Sequence, residues 1–347
     1  MDIIKKSYFE LINDIGILLH ESRVKTYYAI NNILLQTYWQ IGEKIINYEQ
    51  HGEERAEYGS NLLNRLSKDL KSKYGKGFSR RNILNMRNFY FLYPKWQTVP
   101  AKLNWSHFVE LLSISDDLAR SFYEKQSVHE NWSVRELKRQ RQSGLFERLA
   151  LSKNKQEVLD LAKHGLIVTS PEDAVKDPYI LEFLDIPENR SVSENELEAK
   201  LINNLGMLLL ELGKGFSFVG RQYRVTINNT HFFVDLVFYH SILKCYVLID
   251  LKIGKVHHQD IGQMNMYLNY FKEEENRDDD NEPIGIVLAA DKDEIMVKYA
   301  TGSISNKLFV SQYKLYLPDK KELENKLKTL MKKESGLIEH QTENGNE

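Results

Sequence analysis

Two apolar stretches in the second half of the chain contain charged residues, and this combination restricts the fold more than any other feature. Residues 232–239 and 245–251 are mainly β-branched and aromatic, which is typical of strands buried on both faces. Asp235 lies inside the first stretch, while Asp250 and Lys252 lie at the end of the second. Buried charges are rare unless they are paired or bind a metal ion. We therefore expect the strands to bring these three side chains to one site.

The spacing within the second stretch predicts two different faces. Because strand side chains alternate, Asp250 and Lys252 share one face, and Val247, Ile249 and Leu251 point the other way. Two carboxylates at adjacent strand ends suit a hard divalent cation such as Mg²⁺, and a neighbouring lysine can orient or deprotonate a metal-activated water. These groups suit phosphodiester hydrolysis. A structural ion pair between Asp250 and Lys252 also explains the spacing, so the pattern alone leaves both interpretations open.

The same residues resemble the motif of the PD-(D/E)xK nuclease superfamily. Asp235 is followed by Asp250-Leu251-Lys252 at a strand end, and then by a predicted helix that contains Gly262-Gln263 and Tyr267. The whole chain except its tail is similar to the YhcG-type family of bacterial proteins, whose members join a helical N-terminal domain to such a nuclease domain. The similar phrases are YWQIGEKI (38–45), KGFSRRN (76–82), WSVREL (132–137), LLLELGKGFSFVGRQ (208–222), VDLVFYH (234–240) and IGQMNMYL (261–268).

The resemblance implies a set of catalytic residues and a metal cofactor, Mg²⁺ or Mn²⁺, with no small-molecule cofactor. Three acidic residues are the implied metal ligands: Asp235, Asp250 and Glu198. Three further residues complete the implied catalytic set: Lys252 as the catalytic lysine, and Gln222 and Gln263 beside the site. Glu198 is explained nearly as well as a helix-start glutamate that interacts favourably with the helix dipole. Histidine ligands for a transition metal, from His240, His257 and His258, fit the hard-oxygen site poorly.

Two departures from the family pattern fall near this motif. Asp250 stands where a glutamate is usual, which the superfamily pattern allows. Residues 257–260 replace the Pro-Glu that usually precedes the Gly-Gln helix, so the start of that helix is not predicted by the resemblance.

The N-terminal part of the chain is basic. Residues 1–150 contain 23 Lys and Arg against 17 Asp and Glu, a balance of +6, although the whole chain carries −2. The excess is concentrated in residues 62–87, where eight basic residues accompany only Asp69. A local basic patch of this kind is typical of nucleic-acid contacts.

Within this patch, the pattern predicts a helix-turn-helix-like pair. One helix ends near Tyr74, Gly75 and Gly77 form the break, and Ser79 caps a second helix that stops before Pro94. Basic residues at the start of the second helix are typical of DNA-binding modules, although an αα-hairpin with a solvated basic face fits as well. The predicted DNA contacts here are Lys76, Arg80, Arg81 and Arg87. A later helix is capped by Ser133 and Glu136. It adds three predicted DNA contacts, Arg135, Lys138 and Arg139, although a solvated basic helix fits as well.

These patterns predict an α+β protein of two main domains. An all-α DNA-binding domain (1–150) and a connecting segment (151–189) precede an α/β PD-(D/E)xK domain (190–318) with a mixed sheet in the order αβββαβ. A C-terminal helix and disordered tail (319–347) follow. The single cysteine excludes a disulfide framework and favours a reducing compartment. Because the first twenty residues contain no signal peptide or membrane span, a cytoplasmic protein is expected.

The predicted function is a metal-dependent DNA endonuclease with a helical DNA-binding domain. One alternative is an inactive nuclease fold that binds DNA or assembles a complex, and another is an interaction module whose basic helices bind an acidic partner. The expected partner is DNA, with a homo-oligomer or a nuclease-complex partner possible, and no membrane. The substrate form, whether duplex, junction, damaged strand, single strand or RNA, stays open.

Overall fold

The computed structural model describes residues 2–50, 59–187, 192–302, 304 and 306–343. The chain divides into two compact units, residues 1–137 and 138–347. This division lies before the predicted boundary at 150, so residues 138–150 belong to the second unit. No helix among the described residues is both long and apolar enough to cross a membrane.

The described part of the first unit is helical. Its helices are α1 (Asp2–Gln50), α2 (Gly59–Tyr74), α3 (Arg80–Leu92), α4 (Trp105–Leu111), α5 (Asp117–His129) and the start of α6 (Val134–Gln142). The C-terminal part of α1 packs against α3. Leu35 on α1 and Ile83, Met86 and Phe89 on α3 are fully buried. The 3.6-residue spacing of the apolar side chains explains why one face of α3 is buried.

Local capping explains the turn between α2 and α3. Gly75 and Gly77 have φ values of +83° and +114°, which glycine adopts without the steric cost of a Cβ atom. The backbone N–H of Asn82 donates to Oγ of Ser79 at 3.1 Å, which caps the start of α3. The predicted end of α2 at Tyr74 and the predicted cap at Ser79 are therefore confirmed.

The second unit is a mixed sheet with helices. After the end of α6 come α7 (Leu145–Leu151), α8 (Lys155–His164), α9 (Pro171–Ala174), β1 (Tyr179–Ile180), α10 (Glu194–Asn203), α11 (Leu205–Leu212), β2 (Phe216–Ile227), β3 (Thr230–His240) and β4 (Cys245–Lys255). The chain continues with α12 (His258–Tyr270), β5 (Ile284–Asp291), α13 (Glu294–Thr301), β6 (Lys307–Lys314) and α14 (Lys320–Glu343).

The strands lie in the order β1-β6-β5-β4-β3-β2. The strands β2, β3 and β4 pair antiparallel, whereas β4, β5, β6 and β1 pair parallel. The hairpin between β2 and β3 turns at Asn228 and Asn229, both with positive φ, because asparagine tolerates this conformation better than most residues. The helical N-terminal unit and the mixed α/β sheet together give the predicted α+β class.

The two faces of the sheet bury separate cores. Val247, Ile249 and Leu251 pack with residues of α10 and α11. Leu248 faces the other way and packs with Met264 and other residues of α12. The predicted alternation along β4 is therefore confirmed, and Asp250 is on the same side of the strand as Leu248.

Three features of the second unit differ from the prediction. The order αβββαβ predicts one helix before the first strand of the hairpin, but the structure has two, α10 and α11. They are separated at Asn204, whose side-chain amide donates to the carbonyl of Lys200 and so competes with the helical pattern. The short strand β1 and the helix α13 were not predicted. The helix α14 continues to Glu343, past residue 339 where disorder was expected, and residues 344–347 lie outside the described part of the chain.

A buried ion-pair network surrounds Glu211 on α11, whose side chain is fully buried. Its carboxylate accepts hydrogen bonds from Arg148 at 2.9 Å, Arg139 at 3.2 Å and the backbone N–H of Ile180 at 3.0 Å. Burial acts to raise the pKa of Glu211, but the cations of Arg148, Lys176 and Arg139 outweigh it and hold the pKa below its usual range. The network connects α6 and α7 to α11 and β1.

Candidate active site

The charged residues of the two apolar stretches lie where β3 and β4 separate. The pairing of these strands ends at Leu236 opposite Ile249. Beyond this pair, β3 continues beside β2 only and β4 continues beside β5 only. Asp235 adjoins the last pair on β3, and Asp250 adjoins it on β4. The sheet topology thus places the two aspartates on opposite sides of a fork between the strands.

Two hydrogen bonds fix the carboxylate of Asp235. The backbone N–H of Leu251 donates to Oδ2 at 2.7 Å, across the fork. The amide of Gln222 donates to Oδ1 at 3.0 Å. Asp235 is half-buried, and its bond to Leu251 replaces the ladder hydrogen bond that is lost where the strands separate.

Gln222 connects Asp235 to a second acidic residue. Its Nε2 also donates to Oε2 of Glu198 at 2.6 Å, and Glu198 is buried on α10. Gln222 has a φ of +45°, which is uncommon for a residue with a Cβ atom and costs backbone energy. The strand therefore adopts an unfavourable conformation at the residue whose amide lies between the two carboxylates.

Asp250 is the most deeply buried carboxylate of the site, with 3 % of its surface exposed. Burial and the charge of Asp235 raise its pKa to about 7, although the nearby Lys252 acts in the opposite direction. Nζ of Lys252 lies 2.7 Å from Oδ2 of Asp250. This short contact is an ion pair between the lysine ammonium and the buried carboxylate, and it favours the charged form of both groups.

Lys252 lies between two carboxylates. Its second acidic neighbour is Asp260, with Nζ and Oδ1 3.9 Å apart. Burial acts to lower the pKa of Lys252, but the ion pair with Asp250, together with Glu194 and Asp260, outweighs it and raises the pKa. Both pKa values are raised, which favours the protonated form of Asp250 and the charged form of Lys252, because Asp250 is buried and adjoins the negative charge of Asp235, whereas Lys252 interacts mainly with acids. At neutral pH Lys252 is therefore charged.

Asp260 is a site residue that sequence reasoning missed. Its carboxylate accepts a hydrogen bond from the backbone N–H of His257 at 2.7 Å and so caps the start of α12. This explains how the helix begins without the Pro-Glu usual in the family. A capping-box spacing between residues 257 and 260 was visible in the sequence, but nothing local indicated that Lys252 lies beside it.

The helix α12 contributes the two remaining polar groups. Gln263 donates to the hydroxyl of Tyr267 at 2.5 Å, one helical turn away. That hydroxyl donates to the carbonyl of Phe233 at 3.0 Å. Burial, followed by the charges of Asp250 and Asp235, raises the pKa of Tyr267, so it is a neutral hydrogen-bonding group that links α12 to β3.

The donor set fits a divalent cation at two carboxylates. Within the described ranges, no group of three or more histidine, cysteine or acidic side chains is arranged to hold a metal ion. Glu198 reaches the aspartates only through the amide of Gln222, and His240 is buried next to Gly215. The buried carboxylate of Asp250, next to that of Asp235, supplies hard oxygen ligands of the kind that Mg²⁺ takes, and this ion often uses one or two carboxylates with waters and substrate phosphates.

The structure separates the predicted DNA contacts into two groups. Five of them are exposed: Lys76, Arg80, Arg81, Arg135 and Lys138. Arg87 instead pairs with Glu49 of α1 at 2.8 Å. Arg139 pairs with Glu182 at 3.0 Å and with Glu211, and only 11 % of its side chain is exposed. The prediction of Arg139 as a phosphate contact therefore does not fit the structure, because its guanidinium neutralises a buried glutamate.

Comparison with known proteins identifies the class to which this fold and site belong. Residues 172–328 match the YhcG PDDEXK nuclease domain, and residues 14–148 match the DUF1016 N-terminal domain. Nucleases of the PDDEXK class generally use divalent metal ions. The chain is 40 % identical over 352 residues to the Escherichia coli (strain K12) protein named "Putative nuclease YhcG", with 92 % of this chain and 93 % of that protein covered. The chain belongs to the YhcG family.

Parts of solved endonuclease structures are also similar. A repair endonuclease from Pyrococcus abyssi is 20 % identical with a TM-score of 0.26, over 38 % of this chain and 50 % of that one. A complex of EndoMS with double-stranded DNA is 17 % identical with a TM-score of 0.27, over 39 % of this chain and 50 % of that one.

Proposed function

We propose that this protein is a metal-dependent endonuclease that hydrolyses phosphodiester bonds of DNA at the fork between β3 and β4. The observation that carries the proposal is the convergence of Asp235, Asp250 and Lys252, in which the buried carboxylate of Asp250 lies next to the charge of Asp235 and 2.7 Å from the Lys252 ammonium. A folded protein has little reason to keep such a charge cluster for stability alone, since apolar replacements are often at least as stable.

Each residue of the fork has a proposed task. Asp235 and Asp250 would hold Mg²⁺, with Mn²⁺ as a substitute, and the bound ion would acidify a water and neutralise charge on the phosphate. Lys252, charged and held between Asp250 and Asp260, is placed to orient the water or to stabilise negative charge on phosphorus. Gln222 holds the Oδ1 side of Asp235, and Glu198 in turn holds Gln222. We assign Glu198 as a positioning residue.

A polar group at the other side of the site completes the assignment. Gln263 lies on α12, one turn before Tyr267, and its amide NH₂ group is directed to the tyrosine hydroxyl. We propose that this pair orients the substrate phosphate or the attacking water. Incubation of the full chain with linear, nicked and branched DNA in Mg²⁺ or Mn²⁺ tests the proposed activity, and RNA or single strands in parallel define the substrate.

We further propose that the turn between α2 and α3 contacts DNA phosphates, as the helix-turn-helix-like arrangement suggests. Arg80 and Arg81 lie in the first turn of α3, after the Ser79 cap, and Lys76 lies in the turn itself. All three side chains are exposed, and no described residue forms an ion pair or a hydrogen bond with their cationic groups. A helix N-terminus with adjacent cations favours a bound phosphate.

Replacement of both Arg80 and Arg81 by alanine is expected to weaken DNA binding by the full chain without sequence preference. Each lost phosphate contact lowers the salt dependence of log K by about 0.9, so we expect a decrease of about 2 in the slope and a loss of affinity of roughly 10- to 100-fold. Fluorescence anisotropy with labelled duplexes across a salt series measures both quantities.

The matched control is Lys95→Ala with Lys102→Ala. It removes the same charge from exposed positions of the same unit, and Lys95 follows the opposite end of α3, about 20 Å along the helix from Arg80. Equal losses in both double variants would show a general charge effect and contradict a contact at the α2–α3 turn. Unchanged binding after loss of Arg80 and Arg81 would exclude this turn altogether.

A further inference from the structure

The N-terminal segment of α1, residues 8–30, is a helix without a packing partner in the described structure. Every residue from 8 to 30 is exposed, whereas Asn31 and Leu35, which follow this segment on the same helix, are buried. The segment extends about 35 Å at 1.5 Å per residue. Isolated helices are only marginally stable in water, and most helices in proteins depend on packing.

The composition of this segment is that of a buried helix. Twelve of its side chains are large, apolar and at least 39 % exposed: Tyr8, Phe9, Leu11, Ile12, Ile15, Ile17, Leu18, Leu19, Val24, Tyr27, Tyr28 and Ile30. Together they expose on the order of 1,000 Å² of apolar surface, whereas the largest patch on a typical monomer is about 300–600 Å². A surface of this size indicates an interface.

The spacing of the apolar residues indicates that the partner is another helix. Positions three and four residues apart in alternation form a continuous seam: Tyr8, Ile12, Ile15, Leu19, Ser22, Thr26 and Ala29. The first four of these positions are apolar and follow the a/d pattern of a coiled coil, and the small residues Ser22, Thr26 and Ala29 continue the spacing. The flanking positions Phe9, Leu11, Leu18 and Ile30 widen the apolar stripe beyond the seam. The small residues in its second half allow two helix backbones to approach closely.

We infer that this seam packs against the same segment of a second copy of the chain. Eight of the twelve exposed apolar side chains lie in the seam or at its flanks, and their exposed area is on the order of the roughly 800 Å² per partner of a standard stable interface. The charged residues Glu10, Asp14, Glu21, Arg23 and Lys25 lie outside the seam and sum to −1, so two copies do not repel each other. An identical helix also supplies a stripe of the same length, as a two-fold symmetric interface requires.

Two matched substitutions test the seam. Ile15 is a seam residue, 44 % exposed, and Ile17 is 50 % exposed on the opposite side of the same helix. Because neither side chain is in the core of the single chain, glutamate at either position leaves the fold intact. Ile15→Glu places two carboxylates in the apolar seam of a dimer and is expected to raise the dimer dissociation constant about 100-fold or more. Ile17→Glu is expected to leave it unchanged.

Sedimentation velocity of the full chain over a range of concentrations measures the effect. The wild type and Ile17→Glu should sediment as dimers with twice the 40.7 kDa mass of one chain. Ile15→Glu should sediment as a monomer. Hydrogen exchange should show residues 8–30 protected in the wild type and unprotected in Ile15→Glu.

Several outcomes would overturn the inference. The first is a wild-type protein that is monomeric, including one in which another part of the same chain protects residues 8–30. The second is a dimer that Ile15→Glu does not dissociate. Equal dissociation by both variants would indicate unspecific adhesion instead of a seam. An assembly of more than two copies would overturn the two-copy form.

Discussion

Replacement of Lys252 by alanine is expected to lower the rate of metal-dependent DNA cleavage by roughly 10³-fold or more. Loss of one group that stabilises transition-state charge lowers kcat by about 10²–10³-fold, and Lys252 also adjoins a proposed metal ligand. The fold should persist. Without Lys252, the buried Asp250 can stay protonated, because its pKa is already raised to about 7 and the loss of the cation raises it further. Asp235→Ala is expected to abolish cleavage in the same way, through loss of a metal ligand.

A matched control for Lys252 lies on the same strand. Lys255 is three residues further along β4, exposed, and pairs with the exposed Asp291 at 3.7 Å. Lys255→Ala removes the same charge and should leave cleavage within about twofold, since exposed ion pairs contribute about 0–1 kcal/mol. Rates of cleavage in Mg²⁺ and in Mn²⁺, together with circular dichroism melting curves, compare the variants.

Two results would contradict the catalytic assignment. Full cleavage by Lys252→Ala would exclude this lysine from the chemistry. A wild-type protein that cuts none of the DNA forms with either metal would favour the alternative of an inactive nuclease fold that binds DNA or assembles a complex. The DNA-binding measurement with Arg80 and Arg81 separates that alternative from an interaction module for an acidic partner.

Replacement of Asp250 by asparagine is expected to leave the metal-free protein as stable as the wild type or more stable. The change keeps the shape of the side chain and removes a buried charge next to Asp235. Lys252 keeps an acidic neighbour, Asp260, at 3.9 Å. The same change should abolish the stabilisation by Mg²⁺, which in the wild type is about 2.7 kcal/mol at 100 times the dissociation constant.

The difference in stability between the wild type and Asp250→Asn is expected to depend on pH in a definite direction. The pKa of Asp250 is raised in the folded protein from its ordinary value of 3.8 to about 7. The folded state therefore binds more protons than the unfolded state between these values, and the wild type in EDTA should lose stability as the pH rises from about 4 to about 7. Asp250→Asn has no such group, so its advantage over the wild type should grow across this range and then level off.

Thermal melting in EDTA and in Mg²⁺ at several pH values measures both effects. The matched control is Asp291→Asn. Asp291 is an exposed aspartate at the end of β5, the strand that pairs parallel with β4, and its replacement should change neither the stability nor the response to Mg²⁺. A structural ion pair between Asp250 and Lys252 predicts the opposite result, a loss of about 3–5 kcal/mol in Asp250→Asn with or without metal. That loss, together with a wild type that Mg²⁺ does not stabilise, would exclude the metal site.

Several local features could be predicted from the sequence because short-range interactions determine them. The strand pattern around Asp235 and Asp250 gave the two faces of β4, since a period of two residues requires no knowledge of neighbours. Ser79 and Ser133 were predicted as helix caps, and each side chain accepts from a backbone N–H three residues later. The resemblance predicted the family, which the comparisons confirm.

Other features depend on contacts between residues far apart in the chain, and the sequence did not predict them. Arg139 was predicted as a DNA contact because its helix is basic, but the fold brings it to Glu211, 72 residues later, where burial requires a cation.

The sequence by itself therefore determined most of the helices, the main strands and the chemical types of residue available for a site. The tertiary structure decided which of these residues meet. The fork between β3 and β4 exists because β3 pairs onward with β2 and β4 with β5, and this separation brings Asp235, Gln222 and Glu198 into one hydrogen-bonded chain. It also places Asp260 beside Lys252. Charge partners depend on topology, because electrostatic and hydrogen-bond contacts join residues by distance in space, whereas periodicity and capping depend only on residues within a few positions.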